Sequence, residues 1–315
     1  MTVDLLAAAP LLRGDPWRWQ PHPEVWALVA GLAVAYWWAM TRVGPRATRP
    51  GEAVVTRRQV AWFVAALITL EVAADWPVHD IGEGYLFGVH MGQHLLLSLV
   101  LPPMVLLATP TWLARMVVGK GTAYRALRRL ARPVPATLVF NGVVALTHWP
   151  AVVNVSVSNA ALHYGVHVVV VASALLMWLP VAGPLPELRL TLPVQMGYLF
   201  LQSILPTVPA GWLTFADGVV YEAYDVLPRV FGTSVANDQQ FAGMLMKVGG
   251  GLFLWTVIAV LFFRFALRQE HDDRDRGLPL DRRAPVRSAD GQVLTWEQVE
   301  RELQHAGPAP PEPDR

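Results

Sequence analysis

Residues 85–108 read YLFGVHMGQHLLLSLVLPPMVLLA. The run contains no Asp, Glu, Lys or Arg, and its only imidazoles are His90 and His94. A helix rises about 1.5 Å per residue, so about 20 apolar residues cross a bilayer. This stretch is long enough to do so. Two histidines four residues apart in an otherwise apolar span are costly to bury, and that cost makes them the first candidates for function.

Six further apolar runs flank it, at 25–41, 59–74, 134–153, 160–181, 193–214 and 239–263. The pattern predicts an all-α polytopic membrane protein, a bundle of seven transmembrane helices. Pro102-Pro103 and the pair Pro206 and Pro209 are expected to kink the third and sixth spans, which bundles tolerate where neighbours satisfy the freed carbonyls. The composition agrees. Of 315 residues, 54% are hydrophobic and 16% charged, against about 25% charged in soluble domains, and mean hydropathy is +0.36. Zero cysteines exclude disulfides, thiolate metal sites and covalent c-type haem. Arg clusters flank the apolar runs and form no basic folded face, so no nucleic acid is expected as a partner. Residues 1–10 lack the basic start of a signal peptide.

Basic residues orient the bundle. Arg42, Arg46, Arg49, Arg57 and Arg58 follow the first span; Arg115, Lys120, Arg125, Arg128, Arg129 and Arg132 follow the third; Arg264 and Arg268 follow the seventh. The connection after the second span has Asp75, Asp80 and Glu83 and no Lys or Arg. The expected topology therefore has the N-terminus outside and the C-terminus cytoplasmic. It divides the chain into an outer segment 1–24, a membrane domain 25–265 and a charged cytoplasmic tail 266–315. In the tail, Thr295-Trp296-Glu297-Gln298 reads as a capping box, with Trp296, Val299 and Leu303 on one helical face.

The intramembrane histidines share a depth. His90 and His94 open the third span, and His163 and His167, also at i, i+4, open the fifth; each pair occupies one helix face. The two members lie about 6 and 12 Å inside the outer boundary at 1.5 Å per residue. His148 lies near the outer end of the fourth span, Met244 and Met246 near the outer start of the seventh, and Glu71 about a turn inside the second. Imidazole suits copper, zinc and iron, and thioether favours Cu(I). The pattern reads as a copper or haem site reached from outside, with His90, His94, His148, His163, His167, Met244 and Met246 as metal ligands. The alternatives are axial ligation of a b-type haem and interhelical hydrogen bonding without metal. Asp238 at the start of the seventh span reads as its N-cap, and Lys247 either snorkels outward or pairs with Glu71 or Asp238. Neither a nucleophile–base motif nor a phosphate loop appears, so the chain reads as a non-enzyme. It also lacks the repeated interrupted helices of a transporter.

At these residues the sequence resembles the seven-helix CtaG family of cytochrome c oxidase assembly factors, linked to caa(3)-type oxidases. The resemblance covers most of 20–265. It is carried by His90-Met91-Gly92-Gln93-His94 with Pro102-Pro103, by His148-Trp149-Pro150, by His163 and His167 leading to Met177-Trp178-Leu179-Pro180, and by Asp238-Gln239-Gln240 with Gly243 and Met246; Tyr221 and Tyr224 also fit. Lys247 departs from the family, where an aromatic or apolar residue commonly follows the Met. The resemblance implies a multi-pass protein of the bacterial plasma membrane. Such a protein helps copper reach the copper B centre of cytochrome c oxidase subunit I, loaded by an extracytoplasmic copper donor; the alternative without metal is a scaffold for an oxidase subunit.

Overall fold

The computed structural model describes residues 15–225, 229, 231–275, 295, 298 and 301. Two compact units, Met1–Phe262 and Phe263–Arg315, divide the chain. Among the described residues every regular element is helical. In chain order these are α1 Pro23–Ala47, α2 Arg57–Ala74, α3 Val78–Gly84 and α4 Phe87–Ala108. There follow α5 Thr111–Val118, α6 Thr122–Leu130, α7 Pro133–Thr147 and α8 Pro150–Val157. The last four are α9 Ala160–Ala182, α10 Leu192–Ile204, α11 Thr207–Thr214 and α12 Val235–Asp272.

Five stretches are long and apolar enough to cross a membrane: α1, α2 with α3, α4, α9 and α12. A sixth is reached if α6 and α7, bent by 79° to each other, count as one. Leu32, Val64, Leu138, Val168 and Leu252 are exposed on these helices, which is compatible with a multi-pass membrane protein. The fourth and sixth expected runs are the ones that differ. The fourth stops at Thr147 because Trp149 precedes Pro150, and a residue before proline is driven out of the helical region. Pro150 then starts α8 as a first-turn proline. The sixth breaks into α10 and α11 around Pro206.

Pro102 and Pro103 act differently. α4 continues through them, widened to a π turn at Leu96–Val100. Pro102 has no N–H to give the Ser98 carbonyl four residues back. The indole Nε1 of Trp178 on α9 donates to that carbonyl at 3.2 Å instead. Trp178 is buried in the inner core with Met177, Leu199, Tyr198 and Leu254. One substitute hydrogen bond thus ties the proline step of α4 to α9, the two helices that carry the HxxxH pairs.

Asp238 does not cap its own helix. Ser234 does, its Oγ accepting from the Asn237 N–H at 3.2 Å. The Asp238 carboxylate instead crosses to α4 and accepts from the Phe87 N–H at 2.7 Å and the Gly88 N–H at 3.0 Å. It satisfies two of the four donors that every helix start leaves open and sets a negative charge against the positive end of the α4 dipole. Lys247 meets neither Glu71 nor Asp238; its Nζ donates to the Ser203 carbonyl at 3.2 Å and to Thr207 Oγ1 at 2.6 Å. These two groups lie beside the α10–α11 break, so Lys247 answers polar backbone freed by Pro206.

An ionic tether joins the start of α1 to α3. His22 Nε2 lies 3.0 Å from Asp80 Oδ2 on α3 and His22 Nδ1 lies 3.1 Å from Glu24 Oε1. Burial pulls the His22 pKa down, but hydrogen bonds and charge from Asp80 and Glu24 outweigh it and the net value is raised above 6.5. A raised folded pKa gives stability that is complete below the unfolded value and lost as pH rises through the folded one. Thermal melts in detergent should therefore show a tether contribution that is full below pH 6.5 and declines above it. His22→Ala should flatten that slope, and an unchanged slope would contradict the pairing.

In the tail, the Thr295 N–H donates to Gln298 Oε1 at 2.8 Å, the reach-back half of a capping box. Trp296, Val299, Leu303 and residues 1–10 lie outside the described residues.

Candidate metal centre

The site begins with α3, a short helix folded back against the start of α4. A Cβ on Gly82 would lie 3.0 Å from the His90 N atom and press the α4 backbone away, so the glycine favours this close approach of the two backbones. That approach delivers the next residue, Glu83, to His90. Glu83 Oε1 lies 2.8 Å from His90 Nδ1 and 2.9 Å from His163 Nε2. The separations are those of hydrogen bonds, but the angles are not: none of the three atoms makes one. Together with His167, one ligand atom from each of these four residues lies within 4.8 Å of the others. His167 Nε2 is also buried without a hydrogen bond. Buried polar atoms are normally paired. Two imidazole nitrogens from different helices at ion-pair distance from one carboxylate oxygen, with His167 Nε2 unpaired beside them, have the arrangement of ligands converging on a cation.

The helical spacing does what the sequence requires of it. The rings of His90 and His94 stand 4.5 Å apart and those of His163 and His167 4.6 Å apart, centroid to centroid. Packing of α4 on α9 then brings the pairs together, with His90 to His163 at 5.5 Å and His94 to His167 at 4.8 Å. His148 at the end of α7 approaches His94 at 6.4 Å. Met246 lines a cavity shared with His94 and His148. Met244 is 47% exposed on α12 and is not brought to the rings.

A second layer fixes these groups. His148 Nδ1 lies 2.7 Å from the Val144 carbonyl, so it carries the proton and Nε2 keeps its lone pair. Tyr221 donates its hydroxyl to the His148 carbonyl at 2.9 Å. Gln239 holds Tyr221 in turn, its Oε1 accepting from the Tyr221 N–H at 3.2 Å and its Nε2 donating to the Tyr221 carbonyl at 3.0 Å. Tyr224 packs on Phe87, ring centroids 4.8 Å apart, and burial raises its phenol well above the usual range, so it remains neutral. Gln93 Nε2 donates to the Ala73 carbonyl at 2.7 Å and contacts His79 Nδ1 at 3.2 Å. The Asp238-Gln239 dipeptide therefore orients both the His90–His94 helix and the loop over His148.

Glu83 was not among the expected ligands. Its signal was present: an acidic residue between two glycines, seven positions before His90, in a connection with no Lys or Arg. As a donor set, three imidazoles and a carboxylate suit copper, zinc or iron. The carboxylate also offsets the charge of an ion held away from water, where an unpaired charge is costly.

Residues 34–268 match the family of cytochrome c oxidase caa3 assembly factors, Caa3_CtaG. No curated protein matches the chain, and no solved structure does.

Proposed function

The chain belongs to the cytochrome c oxidase caa3 assembly factor family, and from that premise we propose that it binds copper as cargo, as Cu(I), and passes it to the copper B centre of oxidase subunit I. In this reading it is a non-catalytic, multi-pass protein of the bacterial plasma membrane. Seven apolar segments cross the bilayer, with the N-terminus outside and the C-terminus cytoplasmic. An extracytoplasmic donor supplies the metal. Glu83, His90, His163 and His167 form the receiving centre, with His94, His148 and Met246 beside it.

The observation that carries the reading is the convergence of Glu83 Oε1, His90 Nδ1 and His163 Nε2, with a ligand atom of His167 within 4.8 Å of the others. A groove of about 740 Å³ adds support. It runs between α1, α2, α4 and α9 and is apolar along Leu28, Leu67, Leu101 and Val168, with His79, His163 and His167 in its wall. An acceptor embedded in the membrane would reach the centre from that side. The geometry favours a bare ion over the b-type haem reading at His90 and His163, because their ring nitrogens lie 2.8 and 2.9 Å from one Glu83 oxygen and leave no gap between them for a macrocycle.

Metal analysis of the detergent-purified protein after Cu(I) loading and desalting tests the reading. Copper is expected to stay with the wild-type chain and to fall when His90 and His163 are both replaced by Ala. A wild-type chain that retains no copper, or a Soret band in the purified protein, would overturn it.

A further inference from the structure

The convergent centre does not include every unpaired imidazole. His94 Nε2 and His148 Nε2 are also buried without a hydrogen bond. His148 is only 8% exposed, and among the clustered histidine rings its contact is with His94. Both residues line the same cavity of about 70 Å³ on the side away from Glu83, and Met91, Met177 and Met246 line it too. The acidic ligand Glu83 is absent from that lining.

We infer that His94 and His148 form a second metal position, separate from the Glu83–His90–His163–His167 centre and selective for Cu(I) over divalent ions. The inference rests on the copper reading above and divides its ligands into two sites. Two imidazole nitrogens each about 2.0 Å from one ion put the ring centroids on the order of 6 Å apart, and the observed separation is 6.4 Å. The Val144 carbonyl holds the proton on His148 Nδ1, which leaves Nε2 as the free donor and is the usual second-shell device of metal-binding histidines. A pair of neutral imidazoles with thioethers nearby is a soft, charge-free set. Thioether favours Cu(I), and two nitrogens fall short of the four ligands that Zn²⁺ takes. Lys247 also lines the cavity, but Ser203 and Thr207 hold its ammonium. A smaller cavity of about 20 Å³ touches His90 and His163 of the first centre and His94 and His148 of the second, so the positions are neighbours.

The test is metal stoichiometry of the full chain in detergent, with Cu(I) under anaerobic conditions, Ag(I) as its redox-inert substitute, and Zn²⁺. Wild-type protein should hold two Cu(I) or Ag(I) but one Zn²⁺. His94→Ala with His148→Ala should lower Cu(I) from two to one and leave Zn²⁺ at one, the retained zinc showing that the chain is folded. Met91→Leu with Met246→Leu should weaken the second Ag(I) several-fold and leave the first unchanged. One Cu(I) in wild type, unaltered in the His94/His148 variant, overturns the second position while the proposed function stands. No metal of any kind in wild type overturns both. Two Zn²⁺ in wild type overturns the selectivity.

Discussion

Glu83→Gln should weaken copper binding by at least about a hundredfold, about 2.7 kcal/mol in binding free energy, while changing the fold little. The substitution keeps the shape of the side chain, removes its charge and replaces one of its two acceptor oxygens by an amide nitrogen. That charge is the only carboxylate among the four converging groups, and it lies at contact distance from two imidazoles on different helices. Without it, a cation in this low-dielectric layer is left with neutral donors alone. A competition titration against a Cu(I) chelator measures the change. An affinity within about threefold of wild type, about 0.65 kcal/mol or less, would show that Glu83 is a hydrogen-bonding residue that happens to lie beside the histidines.

Asp238→Ala should be the most destabilising single substitution among the polar residues near the site, by about 2–3 kcal/mol. It removes two charge-assisted bonds to the first N–H groups of α4, and hydrogen bonds to charged groups contribute about 1.5–3 kcal/mol each, while N-cap losses alone run to about 2 kcal/mol. The cost is raised by burial, since Asp238 is 4% exposed and water cannot replace it. Asp238→Asn keeps one acceptor and should lose roughly half as much. Because Phe87 and Gly88 start the helix that carries His90 and His94, copper affinity should fall together with thermal stability. A variant that melts like wild type would mean that the start of α4 is held by something other than this carboxylate.

The two HxxxH pairs were legible because a helix converts i, i+4 spacing into adjacency without help from the rest of the chain. His148 was legible as a member of the same layer. Glu83 was not, because its position depends on a close approach of two backbones at Gly82, and the segment around it reads as an acidic loop useful only for topology. Asp238 shows the same limit from the other side. An acidic residue near a helix start looks like that helix's own cap, whereas Ser234 takes that role and Asp238 serves α4, about 150 residues earlier in the chain. Lys247 invited an ionic partner, yet its nearest acceptors are a carbonyl and a hydroxyl at a proline break. Local spacing could be read directly; contacts made by packing one helix on another could not.

Whether imidazole holds copper inside the helix bundle is read by X-ray absorption at the copper edge of the Cu(I)-loaded protein. The spectrum should show a shell of nitrogen and oxygen donors with the outer-shell scattering of several imidazole rings, reduced when His90 and His163 are replaced by Ala. A spectrum without imidazole scattering, or one the double substitution leaves unchanged, would contradict imidazole ligation.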